Sequence, residues 1–303
     1  MTNHPHDPAP TPRKPDWLKI KFPSRGEYFA VSALLQKHGL NTICRSAQCP
    51  NRTECWSERT ATFLILGDVC TRACAFCAVA KGVPAPPAGD ETQRVAEAAA
   101  ALGLRYVVVT SVTRDDLPDG GAAQFAAVVE ALRARIPGVK VETLVPDFGG
   151  LEAPLRTVAA AGPDVLNHNL ETVASLYPRI GRPIGNYRRS LGVLRRAKAL
   201  NTPTKSGLMI GLGENEDELR AAFGDLRDAG TDLLTLGQYL RPSRDHAPVV
   251  RYYTPDDFRR LRGEALALGF AEVEAGPLVR SSFHAPKLHQ SLAGSGKRAS
   301  CAT

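Results

Sequence analysis

The 303-residue chain has no run of about 18 apolar residues, so it offers no candidate for a membrane-spanning helix. Its first residues, Met1 to Pro23, lack the apolar core of a secretory signal and the Arg- and Ser-rich pattern of an organelle transit peptide. The expectation is a flexible leader over residues 1–24 of a cytoplasmic protein with no membrane partner. No block of about five or six Lys or Arg occurs, and aromatics make up only 6%, so no nucleic acid partner is expected. Acidic residues are the scarcer charge: 31 Asp and Glu stand against 38 Lys and Arg, a net charge of +7. That excess fits either a generally basic surface or an acidic macromolecular partner, and an acidic protein accounts for it without base-reading machinery. Cysteine is absent from most of the chain: six of the seven fall between Cys44 and Cys77, and Cys301 stands alone near the end. An odd total, no secretory signal and a long chain argue against a disulfide framework, so the clustered thiols point to metal.

From Arg25 to Glu58 the pattern reads as a helix closed by Gly39, then an irregular cysteine-bearing loop. From Ala61 short apolar runs alternate with amphipathic stretches. The runs lie at 61–69, 106–112, 139–146, 164–171, 204–212 and 233–240, and each is followed by a helical pattern. Asp90, Asn186 and Thr254-Pro255 are candidate helix caps. Such alternation predicts βαβ units on a parallel sheet buried on both faces. The expected fold is α/β: a partial TIM-type (β/α)6 barrel over residues 61–270, with an N-terminal extension at 25–60. Residues 271–303 are expected to form a C-terminal segment, frayed after Pro286. Polar residues cluster at the C-terminal strand ends, the active-site face of such barrels.

Cys70, Cys74 and Cys77 form CTRACAFC at the end of the first barrel strand. Three thiolates on one loop can hold three irons of a [4Fe–4S] cluster and leave the fourth open. An open iron can chelate the amino and carboxylate groups of a methionine moiety, and an electron passed into its sulfonium would cleave a C–S bond. Phe76 fits a loop that packs beside an adenine. Zinc is the alternative, but it usually takes four ligands with CxxC pairs, and no fourth Cys or His is near. The spacing, with its preceding strand and its aromatic residue, resembles the radical S-adenosylmethionine (SAM) superfamily. Matching that family's SAM-binding pattern are Thr110 and Ser111 in TSVTRDDLPDGG, Asn169 and Glu171, and Lys205 and Ser206 before GLMIGLGE.

Cys44, Cys49 and Cys55 form a second triplet, CRSAQCPNRTEC, whose spacing suits either a second cluster or a structural metal. The two triplets together with GPLVRSSFHA (276–285) resemble the lipoyl synthase family from about Arg13 to His284. The chain departs from that pattern at Phe283, where the family carries Tyr, and at Arg241 and Asp245. The resemblance implies a sulfurtransferase that inserts two sulfur atoms at carbons 6 and 8 of an octanoyl-lysine on a carrier protein. It implies two [4Fe–4S] clusters, and two SAM molecules per lipoyl group. The second cluster is then the sulfur source, held by Cys44, Cys49, Cys55 and Ser282, with Arg280 stabilising the serine oxygen or a substrate carbonyl. The expected partners are lipoyl carrier domains of a 2-oxoacid dehydrogenase or the glycine cleavage H protein, a low-potential electron donor and an iron–sulfur carrier for cluster repair. A monomer is expected. The competing readings are another two-cluster radical SAM sulfur-inserting or methylthio-transferring enzyme, and a non-enzymatic iron–sulfur electron carrier.

Overall fold

A computed structural model of the chain describes residues 13–20, 26–58 and 60–295. Most of the expected leader, and Cys301, lie outside these residues. In chain order the elements are α1 (Gly26–Lys37), β1 (Asn41–Thr42), α2 (Ile43–Ser46), α3 (Arg52–Ser57), β2 (Thr62–Ile65), β3 (Val69–Cys70) and β4 (Ala80–Lys81). There follow α4 (Glu91–Ala101), β5 (Tyr106–Ser111), α5 (Ala122–Arg135), β6 (Lys140–Leu144), α6 (Glu152–Ala160), β7 (Val165–Asn167) and α7 (Gly185–Ala199). The last are β8 (Thr204–Ile210), α8 (Glu216–Asp228), β9 (Leu233–Gln238), α9 (Pro255–Ala267), β10 (Glu272–Gly276) and α10 (Ala285–Ser295). Eight strands form one sheet in the order β1-β2-β5-β6-β7-β8-β9-β10. All neighbours pair parallel except β1 with β2. Helix α10 follows β10 yet also packs on β5, so the sheet curls into a partial barrel.

The six expected strand–helix units are all present, and their apolar strands are buried as the sequence pattern requires. Several expectations need correction. The first strand stops at Ile65, not at residue 69, because Leu66 and Gly67 take φ of +66° and +91°. A further parallel strand, β10, lies in the expected C-terminal segment, where the sequence pattern predicts no strand; on its sequence, EVEAG, only Val273 is fully buried. Residues after Pro286 form most of α10, anchored by buried Leu288. Part of the expected leader is ordered, with a turn at Asp16–Leu18 and Leu18 fully buried. Thr254 caps α9 in a reciprocal box with Asp257, as expected, whereas α7 begins at Gly185 with Asn186 already inside it. Asp90 stands at the N-cap of α4, but its side chain bonds Arg94 and no backbone amide.

The N-terminal extension shares a core with the barrel: Val31, Leu35 and Trp56 pack with Phe63, Val107 and Val109. Asn51 Nδ2 donates to Leu278 O at 2.7 Å, tying the extension to the segment after β10. Glycines make room for that segment inside the barrel. A Cβ on Gly237 would stand 2.1 Å from Val279 O, and one on Gly207 would stand 2.7 Å from Asn169 Oδ1 and 3.0 Å from Ser281 Oγ.

Candidate functional site

The strands end level at the C-terminal rim: Ile65 pairs with Ser111, Thr110 with Leu144, and Leu144 with Asn167. Above them opens a cavity of about 430 Å³, a size typical of small-molecule sites. Of the residues singled out by sequence, Cys70, Cys74, Phe76, Cys77, Thr110, Ser111, Asn169, Glu171 and Arg280 line it.

The cysteine loop is held from both sides. Arg72 donates to Asp115 at 2.7 and 2.8 Å and to Asp147 at 2.6 Å, and Thr71 Oγ1 donates to Asp115 at 3.1 Å. Burial alone would raise the Asp147 carboxyl, but the hydrogen bond and charge of Arg72 outweigh it and hold the group at about 2. On the other side Arg182 Nε lies 3.3 Å from Cys74 Sγ, with its guanidinium 5.7 Å from the Phe76 ring centroid. Burial works against the Arg182 charge, but Glu171 and Cys74 overcome it and raise the group. His246 Nε2 sits 3.1 Å from Cys77 O. The middle of TSVTRDDLPDGG braces the start of this loop: buried Arg114 donates to Leu66 O at 3.1 Å and pairs with Asp116.

Glu171 takes φ of +73°, an uncommon conformation for a non-glycine residue. It is fixed there by backbone pairing to β8, with Glu171 N donating to Gly207 O at 3.0 Å and Met209 N to Glu171 O at 2.7 Å. Burial raises its carboxyl pKa, partly offset by Arg182. Asn169 Oδ1 accepts from Ser281 Oγ at 2.8 Å, linking the RSSF stretch to the same rim. His168 is fully enclosed, with Nδ1 2.8 Å from Val145 O and Nε2 2.9 Å from Ser190 Oγ. A carbonyl accepts only, so Nδ1 carries the proton. Burial lowers the ring to about 4, which leaves it neutral near pH 7.

Two residues expected in the cavity are absent from it. Lys205 is the second residue of β8 and pairs with Asn167, yet its side chain turns into the interior, where its ammonium is buried 3.0 Å from Glu142 Oε1. Glu142 also accepts from Tyr106 and Asn167, each at 2.9 Å, so the lysine belongs to an interior polar network. Ser206 Oγ donates to His168 O at 2.9 Å and accepts from Leu170 N at 3.1 Å, which straps β8 to the chain after β7. Thr110 lines the cavity, but its hydroxyl is spent on Leu144 O at 2.9 Å. Arg72, Asp115, Arg182 and His246 were not singled out as site residues from sequence. Arg72 and Asp115 lie inside CTRACAFC and TSVTRDDLPDGG, and His246 directly follows the departure at Asp245, but Arg182 stands in a loop with no motif of its own.

The second triplet lies behind one wall of the cavity, which its neighbours Ile43, Ala47, Gln48 and Pro50 help to form. Burial pushes up the thiols of Cys44, Cys49 and Cys55, and their mutual proximity adds to the effect at Cys44 and Cys55. Burial likewise takes Cys77 to about 11. Arg280 lines the cavity and offsets the charge of Cys49, so it stands between the two cysteine sets. Ser282 lines a second cavity of about 470 Å³ with Thr60, Ala61 and Tyr106.

The donor chemistry fits iron–sulfur groups. Buried thiols in two sets lose their protons to solvent readily only when a cation stabilises the thiolates, as a bound metal does. Among the described residues no three His, Cys, Asp or Glu side chains form a single-ion site. A four-iron cluster takes one thiolate at each of several corners, so its ligands need not converge. One polar atom of the site awaits a partner: Ser111 Oγ is buried on the cavity wall without a hydrogen bond.

Comparison with known proteins agrees with this chemistry. Residues 64–226 match the radical SAM superfamily model. The chain is 53% identical over 288 residues to the lipoyl synthase of Nitratidesulfovibrio vulgaris, covering 95% of this chain and 96% of that protein. It is 56% identical over 282 residues to the lipoyl synthase of Methylococcus capsulatus, covering 92% and 87%. Among solved structures it resembles methylornithine synthase (TM-score 0.52, 16% identity, 80% of this chain and 73% of that one). It also resembles Streptococcus suis SuiB bound to its precursor peptide (TM-score 0.55, 12% identity, 86% and 55%). These two likenesses speak for the fold alone.

Proposed function

The chain belongs to the lipoyl synthase family of radical SAM enzymes, and from that premise we propose which of its residues carry out sulfur insertion. Membership makes it a sulfurtransferase that acts on a protein-bound octanoyl chain with a [4Fe–4S] cluster and SAM. In our reading Cys70, Cys74 and Cys77 hold that cluster, and Phe76 packs beside the adenine. Ser111, Asn169 and Glu171 offer polar groups to SAM. Cys44, Cys49, Cys55 and Ser282 hold a second [4Fe–4S] cluster that gives up its sulfur, and two SAM molecules are used per lipoyl group. The barrel and its cavity are one unit with the 25–60 extension, and residues 271–295 close it. The substrate is carried by lipoyl domains of 2-oxoacid dehydrogenases or the glycine cleavage H protein, with a low-potential donor and an iron–sulfur carrier serving the clusters.

One observation carries this reading: a single cavity is lined by the CTRACAFC thiols, by Ser111, Asn169 and Glu171, and by Arg280, which also offsets Cys49. Carbons 6 and 8 of an octanoyl chain carry no activated proton, so a side-chain base cannot start the reaction. When bound, the cluster and SAM supply the one-electron chemistry that removes a hydrogen atom from such a carbon. The protein's part is to hold the reacting groups and keep water out. Arg72, Asp115 and Asp147 fix the cysteine loop, His168 stays neutral as a brace, and Lys14 and Ile20 add to the cavity wall. The test is anaerobic reconstitution, then incubation with SAM, reductant and an octanoyl-lysine peptide. Mass spectrometry is expected to find two added sulfur atoms. Cleavage of SAM with a methylthio group appearing on tRNA, and none of the sulfur on the peptide, overturns the reading.

A further inference from the structure

Residues 178–189 and 240–251 hold seven arginines and one acidic residue, Asp245, in a chain whose whole net charge is +7. Far apart in sequence, the two stretches dock on the same point of the cysteine loop: Ala75 N donates to Ile180 O at 2.9 Å, and Ala75 O accepts from Ala247 N at 2.8 Å. They also meet each other, since Arg179 and Val250 both crowd the open side of Gly213, within 3.0 and 3.5 Å of where its Cβ would stand. Arg182 and Arg241 turn inward to line the cavity, while Arg189 and Arg251 face Asp147 and Asp257. The remaining three, Arg179, Arg188 and Arg244, are exposed, and their side chains have no ion pair or hydrogen bond among the described residues. In the same two stretches Ile184, one helical turn before Arg188, is 62% and Val250 47% exposed.

We propose that this rim, Arg179, Arg188 and Arg244 around Ile184 and Val250, is the docking surface for the octanoylated carrier protein, and that the carrier meets it with an acidic face. The inference rests on the sulfur-insertion reading and adds the place and chemistry of contact. Unpaired arginines beside exposed aliphatic groups are what a protein interface uses, with the charges steering approach and the apolar groups buried on contact. A carrier seated there stands next to the Arg182–Arg241 wall, so its acyl chain enters the cavity beside the cysteine loop. Nucleic acid is less well matched, because neither stretch exposes an aromatic ring on which bases stack: its one aromatic, Tyr187, is buried.

The test compares the reconstituted wild type with the triple variant Arg179→Glu, Arg188→Glu, Arg244→Glu on two substrates, an octanoylated carrier domain and a short neutral octanoyl-lysine peptide. For the carrier KM is expected to rise about tenfold or more; for the peptide it is expected to stay within about twofold. Wild-type KM for the carrier, but not for the peptide, is expected to rise with salt. Equal losses on both substrates, no loss on either, or a variant that loses tRNA binding but keeps carrier turnover overturns the docking surface. A wild type that cleaves SAM yet adds sulfur to neither substrate overturns the functional reading instead.

Discussion

Arg182 places a positive charge and an N–H within 3.3 Å of Cys74 Sγ. Hydrogen bonds to cluster sulfurs help to set the reduction potential, and a nearby cation favours the more negative, reduced state. Arg182→Met is therefore expected to make the cluster proposed for Cys70, Cys74 and Cys77 harder to reduce, with a more negative midpoint in an EPR-monitored titration. An unchanged midpoint at full iron content would show that the arginine serves only to hold the loop. His168 gives a prediction in pH. Its pKa falls from 6.5 to about 4 because of burial, so the unfolded chain takes up a proton that the folded chain resists. Its contribution to stability is complete above pH 6.5 and is lost as pH drops toward 4, by up to about 3 kcal/mol. His168→Gln is expected to flatten that part of the profile in thermal melts, so the variant loses less stability than wild type over the window.

Strand β9 runs so close to the segment after β10 that Gly237 has no room for a Cβ. Gly237→Ala is expected to cost about 1–3 kcal/mol or more, and to displace Val279 and its neighbour Arg280, whose charge offsets that of Cys49. Melting temperature reads the first effect, and loss of iron from the second cysteine set reads the other. Gly192→Ala in α7 is the control: nothing lies within 4 Å of its Cβ position, so it is expected to be neutral or stabilising by about 0.5–1 kcal/mol. At this scale the periodicity of the sequence was enough to find all six strand–helix units. It missed β10, because a strand with one buried residue has no apolar run, and it read α10 as tail, because small residues dilute its apolar stripe.

The whole molecule keeps its two cysteine sets apart: one lines the cavity, the other lies behind the wall with Arg280 between. They should therefore be separable by mutation. Replacing Cys70, Cys74 and Cys77 by Ala is expected to leave about four irons per chain and to abolish SAM cleavage. Replacing Cys44, Cys49 and Cys55 is expected to leave a similar iron content and SAM cleavage, but no sulfur in the product. Iron analysis and nucleoside release measured on the same samples decide this, and loss of both activities in both variants would mean that the sets do not act separately.

Chemistry carried by neighbours in sequence was legible from sequence alone. Cysteine spacing, strand–helix alternation and the RSSF motif are short-range patterns, and they gave the fold class and the family. Contacts between distant positions were decided only by the tertiary structure. Lys205 reads like a ligand to SAM, yet its side chain is buried against Glu142, where burial of either charge alone would be costly. Asn169 meets Ser281, and Asn51 meets Leu278, only because the segment after β10 folds back against the barrel and the N-terminal extension. A residue's type and neighbours fix what it can do; the register of the strands fixes what it faces.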